Sequence, residues 1–114
     1  MPSSPSSFSP SRSSERFALA ADVIVFVGDE QRGSGRTQNI SFGGLAIVLA
    51  EGEVTAGEDV IVELTPLGGE PLRLTAHISW RRENGYGLQF TGTQRKERLA
   101  VQDLVAETRR LLGR

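Results

Sequence analysis

The chain has 114 residues, no cysteine and a formal charge of −1, from 13 Lys+Arg against 14 Asp+Glu. That length suits one compact domain. The charge argues against a general nucleic-acid binder, which needs a basic surplus, and without cysteine no disulfide, iron–sulfur cluster or thiol nucleophile can form.

Residues 1–15 read MPSSPSSFSPSRSSE, with eight serines and three prolines. Such a stretch has too little apolar surface to offset its ordering entropy, so a disordered tail is expected. Composition changes at Phe17. FALAADVIVFV (17–27) is apolar and β-branched and predicts a strand. GDEQRGSG (28–35) predicts a polar loop, Arg36 to Ile40 a short strand, and Gly43-Gly44 a break or bend. Leu45 to Ala50 is apolar again, EGEVTAGED (51–59) predicts a loop, and Val60 to Thr65 a strand. PLGGEP (66–71) is turn chemistry. Leu72, Leu74, Ala76, Ile78 and Trp80 then alternate with polar residues, a period of two that puts five apolar side chains on one face. Asn84-Gly85 predicts a type I′ hairpin turn, because both residues tolerate φ > 0. Tyr86, Leu88 and Phe90 form the apolar face of the returning strand.

From Gln94 the period becomes helical. Val101, Leu104, Val105, Thr108 and Leu112 follow i, i+3, i+4, i+7 and i+11, with Thr93 as the expected N-cap and Gly113 as the stop. Thirteen glycines and closely spaced turns predict about six short strands closed into a small barrel, with the helix packed over one opening or face. No apolar run approaches the ~18 residues of a membrane span, and no basic start with an apolar run marks a signal peptide.

Catalytic chemistry finds little support. His77 is the single histidine, whereas a metal site needs three or more converging ligands. There is no GxSxG elbow for a nucleophilic serine. The carboxylate pairs Glu51/Glu53 and Glu58/Asp59 read as solvated loop charge. Gly33-Ser34-Gly35 lacks the rest of a phosphate-binding fingerprint and reads as a turn. No enzyme activity, metal or cofactor is expected.

Two features remain. Arg12 and Arg16 stand four apart where the tail meets the first strand. Guanidinium groups bond phosphate in bidentate fashion and stack on flat rings; a plain solvated linker is the alternative. Asn39-Ile40-Ser41-Phe42-Gly43-Gly44 places short polar side chains beside glycines, which lets the backbone turn sharply and a ligand come close. A structural turn capped by Asn and Ser explains the same residues.

Together these residues resemble the PilZ domain family, small bacterial β-barrels that bind cyclic di-GMP. The family carries RxxxR before the first strand and [D/N]xSxxG between the second and third. Here they read Arg12-Ser-Ser-Glu-Arg16 and Asn39-Ile-Ser-Phe-Gly-Gly44, with Asn39 in place of the commoner acid. Ile78-Ser79-Trp80 and Tyr86-Gly87-Leu88-Gln89-Phe90 match the later V-x-W and YGLxF stretches. The resemblance implies an all-β fold, a small six-stranded antiparallel PilZ-type barrel with a C-terminal α-helix. It implies a tail over 1–11 and a domain over 12–114, made of a ligand-binding linker (12–16), the barrel (17–92) and the helix (94–112). It implies that Arg12 and Arg16 wrap the dinucleotide, that Asn39 and Ser41 read guanine edges, that Gly43 and Gly44 belong to the same ligand-binding set, and that Gly44 holds the turn. Arg36 is a further candidate for a phosphate contact. Trp80 is a candidate for the ligand surface, with core packing as its alternative. The implied function is a cytoplasmic cyclic di-GMP receptor that changes conformation and signals to a protein partner in motility, biofilm or exopolysaccharide control. The alternative is a nucleotide-independent adaptor docking on a motility or secretion component. No nucleic-acid polymer and no membrane insertion are expected, and the receptor is a monomer or homodimer.

Overall fold

The computed structural model of the chain describes residues 16–66, 68–92 and 94–112. The expectations for the tail, Arg12, Thr93 as N-cap and Gly113 as stop lie outside the described residues.

Seven strands precede one helix. They are β1 (Phe17–Ala18), β2 (Ala21–Val27), β3 (Glu30–Ile40), β4 (Gly44–Gly52), β5 (Asp59–Pro66), β6 (Leu72–Arg82) and β7 (Gly85–Phe90), followed by α1 (Arg95–Leu112). The sheet runs β1-β3-β2-β5-β6-β7-β4, and β4 pairs with β3, which closes a six-stranded antiparallel barrel around β2 to β7. Closure leaves no long edge unpaired. The core holds one face of each strand: Val23 and Val25, Ile40, Leu45 and Ile47, Val62 and Leu64, Leu74, Ala76 and Ile78, Tyr86 and Leu88 are all buried.

α1 covers the barrel with the side predicted from its period. Val101, Leu104, Val105 and Thr108 are buried, and each apolar side chain so buried contributes about 1.5–3 kcal/mol. Glu97 in its first turn accepts bonds from the Thr75 backbone N (2.8 Å) and Oγ1 (2.7 Å), which ties the helix start to β6.

Four local expectations are corrected. The stretch 17–27 is two strands. The chain steps aside at Leu19-Ala20, and the Thr37 hydroxyl takes up the freed backbone groups. It accepts from Ala21 N (2.9 Å) and donates to Leu19 O (2.6 Å). Second, 28–35 is mostly strand, with Gly33-Ser34-Gly35 inside β3 and not in a turn. A Cβ on Gly35 would strike the backbone of Val48 and Leu49. This glycine therefore marks a bulge and close strand approach, a use easily mistaken for a loop signal. β4 likewise runs on through Glu51 to Gly52, so the following loop is only 53–58. Third, the β6–β7 hairpin turns on Glu83-Asn84, since Arg82 pairs with Gly85. Glu83 has φ 57° and is the sole described non-glycine residue with positive φ. Positive φ at the first central position alone is the pattern of a II′ turn. Fourth, Trp80 is not in the core. It is 48% exposed, because a register shift between Ile78 and Trp80 inserts Ser79 and turns the next residue outward.

Candidate functional site

Strand phase decides what reaches the outer surface. Ile40, Leu45 and Leu88 point into the core, so their neighbours Asn39, Ala46 and Gly87 point out. The registers then join strands into one row. Asn39 pairs with Ala46, Ala46 with Gly87, and Gly87 with Trp80. This outward row crosses β3, β4, β7 and β6, about 14 Å along the sheet surface for three strand spacings. Its two middle members are the smallest side chains.

Trp80 uses that space. A Cβ on Gly87 would fall inside the Trp80 indole, so the ring lies over the glycine and leans toward β4 with nearly half its surface open. At the other end, Arg16 Nη1 donates to Asn39 Oδ1 at 2.8 Å. Ala18 pairs with Asn39, which is how β1 delivers Arg16 to the row. That bond leaves the Asn39 amide NH₂ without a bond to protein among the described residues. The result is an outward-facing strip with a guanidinium and an amide at one end and a flat aromatic ring at the other; between them Ala46 is only 6% exposed and Gly87 is buried under the indole.

The loop beside it is a tight turn. Ser41 Oγ accepts from Gly43 N (3.3 Å) and Gly44 N (3.2 Å), and Ser41 N donates to Gly44 O at 2.9 Å. Ser41 is only 2% exposed, so its hydroxyl staples the loop, and reading a guanine edge would require it to leave these bonds. A Cβ on Gly44 would collide with the Leu88 carbonyl, whereas Gly43 faces open space. Phe42, between Ser41 and Gly43, is exposed and lines a cavity of about 230 Å³ with Glu97, Arg98 and Val101 of α1.

Of the residues singled out from sequence, Arg16, Asn39 and Trp80 share the strip, with Gly43 and Gly44 in the loop at its edge. Arg36 is exposed on β3, pairing with Val48 on one side and Asp22 on the other, on the next outward row. Arg12 lies outside the described residues. Sequence reading missed Ala46 and Gly87 as the floor and Phe42 as the link to α1. Alternation alone turns Ala46 and Gly87 outward, but only the register makes them neighbours. His77 bonds Asp59 through Nδ1 at 2.8 Å, and among the described residues no group of acidic or histidine side chains is placed to hold a metal.

A family model described as PilZ domain matches residues 10–107. Among solved structures, the chain is similar to the PilZ domain of CeSA from a cellulose-synthesizing bacterium, with 24% identity and a TM-score of 0.70 over 82% of this chain and 96% of that one. It is similar to the PilZ domain of YcgR from Escherichia coli with c-di-GMP, at 12% identity and TM-score 0.70 over 86% and 91%. It is also similar to the Bacillus subtilis inhibitor of motility MotI/DgrA, at 20% identity and TM-score 0.63 over 87% of this chain and 50% of that one. At these identities the likeness is one of fold. A search of curated proteins finds no match.

Proposed function

Because the chain belongs to the PilZ domain family, we propose that it is a receptor for cyclic di-GMP. The carrying observation is the 2.8 Å bond from Arg16 to Asn39, which brings the two motifs together at the end of a strip whose other end is the open face of Trp80. The chemistry suits a cyclic dinucleotide, which offers two phosphates and two flat purines. Arg16, joined by Arg12, binds phosphate and stacks on guanine. The Asn39 amide bonds a guanine edge. Trp80 gives a stacking surface, worth about 1–3 kcal/mol per base, and Arg36 adds a phosphate contact. Gly43 lets the ligand approach, while Ser41 and Gly44 hold the loop in shape.

In the same reading the protein acts in the cytoplasm, without catalysis, and passes its change of shape to a protein partner. The neighbours' own descriptions, an inhibitor of motility and a domain from a cellulose-synthesizing bacterium, support an output in motility, biofilm or exopolysaccharide control. The route on offer is Phe42, which belongs to the motif loop and touches the α1 cavity.

Calorimetric titration with cyclic di-GMP tests the proposal. A saturable heat is expected, and no heat at high micromolar ligand overturns it. Arg16→Ala is expected to abolish that heat with a nearly unchanged thermal melt, because the residue is exposed and exposed polar bonds contribute little to folding.

A further inference from the structure

The Trp80–Gly87 arrangement is repeated one step along the same strands. Arg82 pairs with Gly85, so a second large outward side chain on β6 again faces a glycine on β7. It is displaced from Trp80 by two residues, about 7 Å, and shares its phase. Gly85 pairs onward with Val48, and Val48 with Arg36. A row Arg36–Val48–Gly85–Arg82 therefore runs beside the row Asn39–Ala46–Gly87–Trp80.

The neighbouring arginine shows what a structural role looks like here. Arg81 lies over the Tyr86 ring, with its Cζ 5.4 Å from the centroid. It donates to Glu83 O at 3.0 Å and reaches Glu53 Oε1 at 3.4 Å. Arg82 is exposed and forms no salt bridge or side-chain hydrogen bond among the described residues. The same holds for Arg36, even with Asp22 as its cross-strand neighbour. Two cations thus flank Val48 and Gly85 on one row, neither in a salt bridge among the described residues, with Asp22 the carboxylate next to Arg36.

We infer that Arg82 is a phosphate-binding residue of the ligand strip. A purine stacked on the Trp80 indole carries its sugar-phosphate several ångströms to one side, and the Arg82 guanidinium stands at that offset, free to lean over Gly85. It grips the phosphate by a charge-assisted, bidentate bond, with Arg36 adding positive potential from the far end of the row. This inference rests on the cyclic di-GMP reading.

The test is calorimetric titration of the full chain with cyclic di-GMP at two salt concentrations, with thermal melts as folding controls. Arg82→Ala is expected to weaken binding at least about fivefold, with less loss of affinity on adding salt than in the wild type. Arg82→Lys should recover part of the affinity, since it restores the charge without the planar fork. Arg73→Ala, which removes the guanidinium stacked on Phe26, should bind within about twofold of wild type, as its stack involves neither row. If the wild type binds while Arg82→Ala matches it in affinity and salt response, the Arg82 assignment is wrong and the receptor reading stands. If the wild type gives no heat, the receptor reading fails and takes this assignment with it.

Discussion

A single methyl group separates two roles inside the 41–44 loop. Gly44 is buried with the Leu88 carbonyl where a Cβ would be, and Gly43 faces open space. Gly44→Ala forces β4 and β7 apart, so it is expected to cost about 2 kcal/mol and to lower the melting temperature by several degrees. Gly43→Ala is expected to leave the melt unchanged and to weaken cyclic di-GMP binding by blocking close approach. The reverse pattern in melts and titrations would show that Gly43 carries the fold. Arg16 and Asn39 divide differently. Both sit at the surface, where a 2.8 Å bond positions groups more than it stabilises the fold.

At the scale of elements, glycine and bulges set the outcome. β3 carries glycine at 33 and 35 because β4 fills the space that a Cβ would need there. The shift after Ile78 in β6 turns Trp80 from a core position to the outer surface. One side chain of the first helical turn ties the helix to β6. Glu97 holds both Thr75 N and Thr75 Oγ1, so Glu97→Ala leaves two donors at a partly buried site without a partner. A loss of about 2 kcal/mol is expected by denaturant titration. Glu97→Gln keeps an acceptor oxygen in place and should lose less; equal losses in the two variants would mean that the charge, not the bonding geometry, holds the helix.

For the whole molecule, closure and charge act together. The barrel carries the Asn39–Trp80 strip on an outer wall, while two cavities lie against α1. The larger of these is about 630 Å³ and lies between the helix, Ala18 to Ala20 and Gly68 to Glu70. Net charge is −1, so no broad positive field surrounds the protein. A few arginines around the strip suit one small dianion and not a polymer. Duplex DNA is therefore expected to show no binding by fluorescence anisotropy near 0.15 M salt, under conditions where cyclic di-GMP binds. Tight, salt-sensitive DNA binding would overturn this view of the arginines.

The linear chain by itself determined the strands with clean alternation, the β6–β7 hairpin, the amphipathic face of α1 and the two motifs around Arg16 and Asn39. Each is a local pattern, readable because side-chain direction follows a fixed period along a strand or helix. Tertiary structure decided that Gly33 to Gly35 form strand, that Glu83 and not Gly85 takes the positive φ, that Trp80 faces outward, and that Asn39, Ala46, Gly87 and Trp80 lie in one row. Those outcomes depend on register between strands far apart in sequence, and one inserted residue at a bulge reverses which face a side chain occupies. The near-zero charge is a property of the sequence; the placement of Arg16, Arg36 and Arg82 at the ends of two neighbouring outward rows is a property of the closed barrel.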